Sequence, residues 1–269
     1  MAARRPASSR SRPGRDPRRR NRNYGTAMRG HGQDNRQVIP QPDAYGDRSF
    51  FHVLKDPARC SRTIRERTMW FFVEPPTREC CYACTVDDVA RVLSEVPLDD
   101  WAGISAIVFR QPTRKQDLLR PVWGRLVFET RVSGLTGSAI HLDAQDPSQE
   151  IRWSPSLVPD QQKKLSALAA DGHRVARSRR WWSIRPTLDS TRTTQLYRTL
   201  LHEIGHHVDW CGATPELYFR RPLAERERSA DRYAMTLRME LERRGTVPFD
   251  RIRTEAAMRA DGLDPRWFG

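Results

Sequence analysis

The chain has 269 residues and a mass of 31.2 kDa, with 38% hydrophobic and 30% charged residues. That is enough apolar matter for one core, provided part of the chain stays outside it. No stretch approaches the roughly 18 apolar residues of a membrane helix, and five cysteines are too few for a disulfide scaffold. The net charge of +14, from 47 Lys and Arg against 33 Asp and Glu, raises an anionic partner such as nucleic acid, an anionic surface or an acidic protein, and says nothing about fold.

Residues 1–48 hold 12 Arg and 4 Asp, a net of +8, mixed with Ser, Pro and Gly and without an apolar period. Such a segment cannot bury enough surface to offset its ordering entropy. A disordered basic arm is therefore expected over 1–48, and one folded domain over 49–269. The arm makes nucleic acid a candidate partner through phosphate contacts, with a solubilising tail as the plain alternative. No aromatic residue is interleaved with its Arg run, so base stacking has little support there. No apolar leader follows the basic start, and the expectation is a cytoplasmic protein with reduced thiols and no membrane partner.

Trp70-Phe-Phe-Val73 reads as a strand stopped by Pro75 and Pro76. Thr85 is placed to cap a helix that runs to Pro97, with Asp87 and Asp88 where the dipole favours anions. Strands are predicted over 104–109, 122–130, 138–142 and 151–153. Their close spacing suggests a mixed or antiparallel sheet. A helix follows over 161–170, ended at Gly172, and 181–184 reads as one more strand. Residues 191–209 form the strongest helical pattern, with apolar residues at 196, 200, 204 and 208 and at 197 and 201. Pro222 is placed as the first-turn proline of the next helix, which stops at Gly245. A short tail helix is expected over 252–259.

Inside the strongest helix stands His202-Glu203-Ile204-Gly205-His206. Histidines at i and i+4 share one face, so both imidazoles can reach one Zn²⁺. Glu203, next to the first, can take a proton from a zinc-bound water. Gly205 costs its helix roughly 1 kcal/mol against Ala, which makes sense if other backbone packs close. The following helix carries Glu227-Arg-Ser-Ala230-Asp231-Arg-Tyr-Ala234. Glu227 and Asp231 again share a face. Glu227 can be the third ligand, leaving the fourth position open as catalytic zinc requires, and Asp231 can fix a ligand histidine's tautomer.

HEIGH followed by ExxADxxA resembles the gluzincin metallopeptidases, over roughly residues 190–245. The resemblance implies an α+β zincin-like domain with a small twisted mixed sheet packed on the active-site helix and a following third-ligand helix. It implies one Zn²⁺ per chain held by His202, His206 and Glu227, with Glu203 as general base. It also implies an edge strand that lines the cleft and pairs with an extended peptide. The metzincin pattern breaks, with Asp209 where its Gly is due and Gly212 where its last His is due. The expected function is zinc-dependent hydrolysis of peptide bonds in an intracellular protein. The alternatives are a nucleic-acid-associated protein with a structural zinc, or a peptidase recruited to DNA by its arm.

Other residues compete less well. His207 points about 100° round the helix from His206. Glu225 falls on another face than Glu227. Tyr218, Tyr233 and His173 are candidate oxyanion donors that serve as readily in packing. Cys80, Cys81 and Cys84, with Cys60 upstream, contain half of a zinc ribbon's spacing or a redox CxxC, and plain thiols otherwise. The Pro-broken basic stretch 111–125 suits phosphate or a solvated loop. Arg177-Ser-Arg-Arg-Trp-Trp182 combines basic and aromatic residues in a way that suits nucleic acid, although tandem Trp is as easily core.

Overall fold

The computed structural model describes residues 54–77, 79–112 and 123–269. Contacts divide the chain into Met1–Ser49 and Phe50–Gly269, and every described residue belongs to the second unit. The basic arm predicted over 1–48 and most of the basic stretch 111–125 lie outside the described residues.

The second unit is α+β, built on a twisted mixed sheet. Strands β1 (Ala58–Ile64) and β2 (Arg67–Val73) form an antiparallel hairpin. Its two turn residues, Arg65 and Glu66, have φ of 47° and 66°. Both central residues are left-handed, as the right-handed twist of a tight hairpin demands. Helices α1 (Val86–Glu95) and α2 (Leu98–Trp101) carry the chain over to β3 (Ile104–Arg110), which is parallel to β2. β3 is apolar almost throughout, as a strand buried on both faces must be. A second tight hairpin, turning at Ser133–Gly134, joins β4 (Gly124–Val132) to β5 (Leu135–Asp143). β5 pairs in parallel with β3, so the order is β1-β2-β3-β5-β4, and β4 forms an edge.

A smaller antiparallel sheet follows, in the order β6-β8-β7. Its strands are β6 (Ile151–Trp153), β7 (Arg174–Arg177) and β8 (Trp182–Arg185). It packs on α3 (Pro159–Ala170) through Leu165, Leu168 and Ile184. The predicted long helix is three pieces: α4 (Leu188–Thr194), a π-helical segment Gln195–Thr199, and α5 (Leu200–Cys211). Then come α6 (Pro215–Arg220), α7 (Leu223–Arg243) and α8 (Glu255–Ala260). Pro222 is the residue before α7 rather than its first residue. Among the described residues no helix is long and apolar enough to cross a membrane.

The main core lies on one face of the large sheet. Phe71, Ile107, Phe109, Ile140 and Leu142 meet Val89 and Leu93 of α1, Leu196 of the π segment, and Leu200, Leu201 and Ile204 of α5. Each such side chain contributes about 1.5–3 kcal/mol when fully buried, and this contact presses α5 under β4 and β5. Two buried acids fix the surrounding helices. Asp88 closes the capping box with Thr85, receives Arg192 through two bonds of 3.0 and 2.9 Å, and accepts from the Ile252 amide. Asp171, just past α3, accepts from Thr194, Arg198 and Arg238, and so joins α3 to α4, the π segment and α7.

Candidate metal centre

The π segment directly precedes the two histidines. Its wider turn shifts the helical register, and Gln195 is its anchor: the amide donates to the Trp123 and Asp143 carbonyls at 3.0 and 2.8 Å. Inserted π turns of this kind often accompany functional sites. The uniform helix predicted over 191–209 misses it, because residues 196, 197, 200, 201 and 204 stay buried in either register.

His202 and His206 lie one turn apart on α5 with ring centroids 4.6 Å apart. Opposite them, Glu227 projects from the first turns of α7. His202 Nε2 is 3.4 Å from Glu227 Oε2, and His206 Nε2 is 3.5 Å from Glu227 Oε1. These are long for hydrogen bonds, whose usual length is about 2.9 Å. Each Nε2 faces a different oxygen of the Glu227 carboxylate, so that one ion could be held between the three side chains. One ligand atom from each of the three side chains lies within 4.8 Å of those of the other two. Among the described residues no other group of three His, Cys, Asp or Glu side chains converges in this way. Two imidazoles and a carboxylate are a donor set suited to a divalent transition metal.

The second ring nitrogen of each histidine is held by the protein. His202 Nδ1 donates to Asp231 Oδ1 at 2.8 Å. His206 Nδ1 meets the Tyr218 hydroxyl at 3.2 Å. Both Nε2 atoms are thereby turned toward Glu227, the arrangement that fixes tautomer and ring orientation for a metal. Burial alone lowers the His202 pKa, but the Asp231 and Glu227 carboxylates outweigh it and push it up to about 10. Glu227 is held well below the usual carboxylate range by its bonds from His202 and His206.

Glu203 is buried and points to the side of the metal group that faces β4. Its Oε2 accepts from the Leu126 amide at 2.7 Å. Burial raises its pKa, against the pull of His202, His206 and that amide. A carboxyl raised in this way is a better base near neutral pH.

Gly205 is where α5 and α7 touch. A Cβ there would stand 3.0 Å from both Cα and O of Ala230 and 3.1 Å from Cβ of Tyr233. The close backbone is a helix. Asp231, although exposed, is drawn in by His202.

The remaining candidates lie elsewhere. His207 is buried, with Nε2 3.4 Å from Cys211 Sγ. His173 is bonded to Thr194 and Ser190. The Tyr233 hydroxyl donates to Asp100 at 2.6 Å. Cys80, Cys81 and Cys84 form no three-ligand cluster among the described residues, and burial pushes the Cys84 thiol up. Tyr218 was visible only as an oxyanion donor; its position at His206 comes from α6, a short helix that the sequence pattern does not announce. Around it, Phe128 of β4, Trp210 and Phe219 form an aromatic cluster, with Phe128 and Trp210 centroids 4.6 Å apart.

Comparison of the chain with protein-family models, with curated proteins and with solved structures returns no match.

Proposed function

We propose that the protein is a zinc-dependent peptidase of the gluzincin type, with a zincin-like domain over 49–269. The observation that carries this reading is the convergence of His202 Nε2 and His206 Nε2 on the Glu227 carboxylate, at 3.4 and 3.5 Å, with both Nδ1 atoms tied back to the protein. His202, His206 and Glu227 would hold the ion. When bound, zinc supplies Lewis acidity that polarises a carbonyl and brings the pKa of water near neutrality.

The chain's own residues supply the rest. Glu203, with its raised pKa, takes the proton of the attacking water and returns it to the leaving amine. Leu126 keeps that carboxylate in place from the edge strand. Among the described residues β4 has β5 on one side only. Its other edge runs past Glu203, where an extended peptide can add as a strand. The partner in this reading is a protein or peptide substrate.

The test pairs metal content with cleavage of an unfolded protein substrate. Wild type should carry about one zinc per chain and cleave. Glu203→Gln should keep the zinc and lose about 10²–10⁴-fold in rate, the worth of a general base. A Glu203→Gln protein as active as wild type would refute the mechanism and leave zinc a structural role.

A further inference from the structure

The small sheet has two unlike faces. Ile151, Ile184 and Val175 pair across it and point at α3. Side chains alternate along a strand, so Arg152, Ser183 and Ala176 form the next row on the opposite face, followed by Arg185 and Arg174. That face is exposed: the Arg152 and Arg185 side chains keep 58% and 71% of their surface. One carboxylate, Glu150, lies on it and accepts from Arg152, Arg185 and Ser183. It organises these guanidiniums without cancelling the face, which together with the β7–β8 hairpin carries Arg152, Arg174, Arg177, Arg179, Arg180 and Arg185.

The hairpin tip is firmly built. Ser178 Oγ accepts from the Arg180 and Trp181 amides and donates to the Trp181 carbonyl. This presents Trp181 half-exposed, with the Arg152 guanidinium 4.6 Å from its ring centre. Arg177 lies over Trp182 at 5.4 Å on the other face, where Trp182 packs toward the α3 cluster. Trp181 is the single large aromatic side chain that the hairpin tip sets beside these arginines.

We propose that this Arg–Trp face and its hairpin tip bind single-stranded nucleic acid. The arginines match a phosphate backbone. Aromatic and guanidinium planes stack on unpaired bases, which a duplex does not offer. The inference stands independently of the metal site.

Fluorescence anisotropy of labelled mixed-sequence DNA and RNA single strands tests it on the whole chain across a salt series, with a duplex and heparin as comparators. Both single strands should bind more tightly than the duplex. Replacing Arg174, Arg179 and Arg180 by Ala should lower the slope of log K against log salt by about 2, at about 0.7 per phosphate contact. Trp181→Ala should weaken single-strand binding roughly 5- to 150-fold and leave heparin binding unchanged. Unchanged melting temperatures would show that the variants fold. An unaltered salt slope in the triple variant would place all binding elsewhere and overturn the proposal. So would equal affinity for the duplex, or Trp181→Ala without effect on the single strands, which would mark a base-blind polyanion surface such as an acidic protein engages.

Discussion

Gly205→Ala adds one methyl group at the crossing of α5 and α7. The new carbon would sit 3.0 Å from Ala230 Cα and O and 3.1 Å from Tyr233 Cβ. Carbon atoms attract best at roughly 3.5–4.0 Å, and two of the three neighbours are backbone atoms with no rotamer to change. α7 must therefore retreat by about 0.5 Å. Alanine is the better helix residue by about 1 kcal/mol, while overpacking costs about 1–3 kcal/mol. The balance is a loss of about 1 kcal/mol, or about 2–4 °C in Tm for a domain of this size. The larger effect falls on the metal. Glu227 precedes Ala230 by one turn on α7, so the same retreat draws its carboxylate from the two Nε2 atoms. Metal sites hold their distances within about 0.2 Å, and affinity should fall by about 10–100-fold, as when a supporting partner is lost. Melting curves with and without zinc, and titration against a chelator, read both quantities. A variant with raised apo stability and unchanged zinc affinity would show that the two helices do not meet as closely as described.

Glu227→Gln should lower zinc content, with activity partly restored at high zinc, while Asp231→Ala should cost about 10–100-fold in zinc affinity; chelator competition ranks the two. Tyr218→Phe keeps the ring among Phe128, Trp210 and Phe219 but frees His206 Nδ1. Zinc affinity should drop by about 10-fold or more with little change in apo melting. Asp171 is buried, which by itself raises its pKa, yet Arg198, Arg238 and Thr194 bring it below the usual aspartate value. Its contribution is therefore complete above about pH 4 and is lost as pH falls through its folded pKa. Asp171→Asn should flatten the acid limb of a stability–pH curve and cost on the order of 3 kcal/mol at neutral pH, because Arg198 loses a buried carboxylate and Arg238 is left with Glu242 alone.

Elements whose local chemistry agrees with their packing were legible from residues alone. α1 announces itself through Thr85, Asp88 and an apolar side, and β3 through an unbroken apolar run. β1 was not legible. Its sequence, Ala-Arg-Cys-Ser-Arg-Thr-Ile, is half polar, and its turn uses Arg65 and Glu66 in the left-handed region, where Gly or Asn would be the usual signal. Ser133–Gly134 makes the same kind of turn with the expected glycine, and the strand before it was found. At the candidate site, spacing within one helix was enough to pair His202 with His206 and Glu227 with Asp231. Contacts made by other elements were not: the Leu126 amide at Glu203 is backbone, and Tyr218 reaches His206 through a turn of chain with no period of its own.

The two halves of the candidate site are linked by small residues as much as by ligands. On α5, Gly205 stands beside His206. On α7, Ala230 and Ala234 lie three and seven residues after Glu227, both buried and facing inward. Residues at such spacings share a helix face. The pattern His-Glu-Ile-Gly-His with Glu-x-x-Ala-Asp-x-x-Ala thus encodes two things together. The polar members provide nitrogen and oxygen donors. The small members let the two helices approach until a Cβ on Gly205 would stand 3.0 Å from the Ala230 backbone, closer than the ordinary carbon contact of about 3.5–4.0 Å. The 3.4 and 3.5 Å spacings at Glu227 follow from that approach, since one glutamate side chain is too short to span a wider gap. The helix-weakening glycine is in this sense part of the candidate site, although it contributes no donor atom.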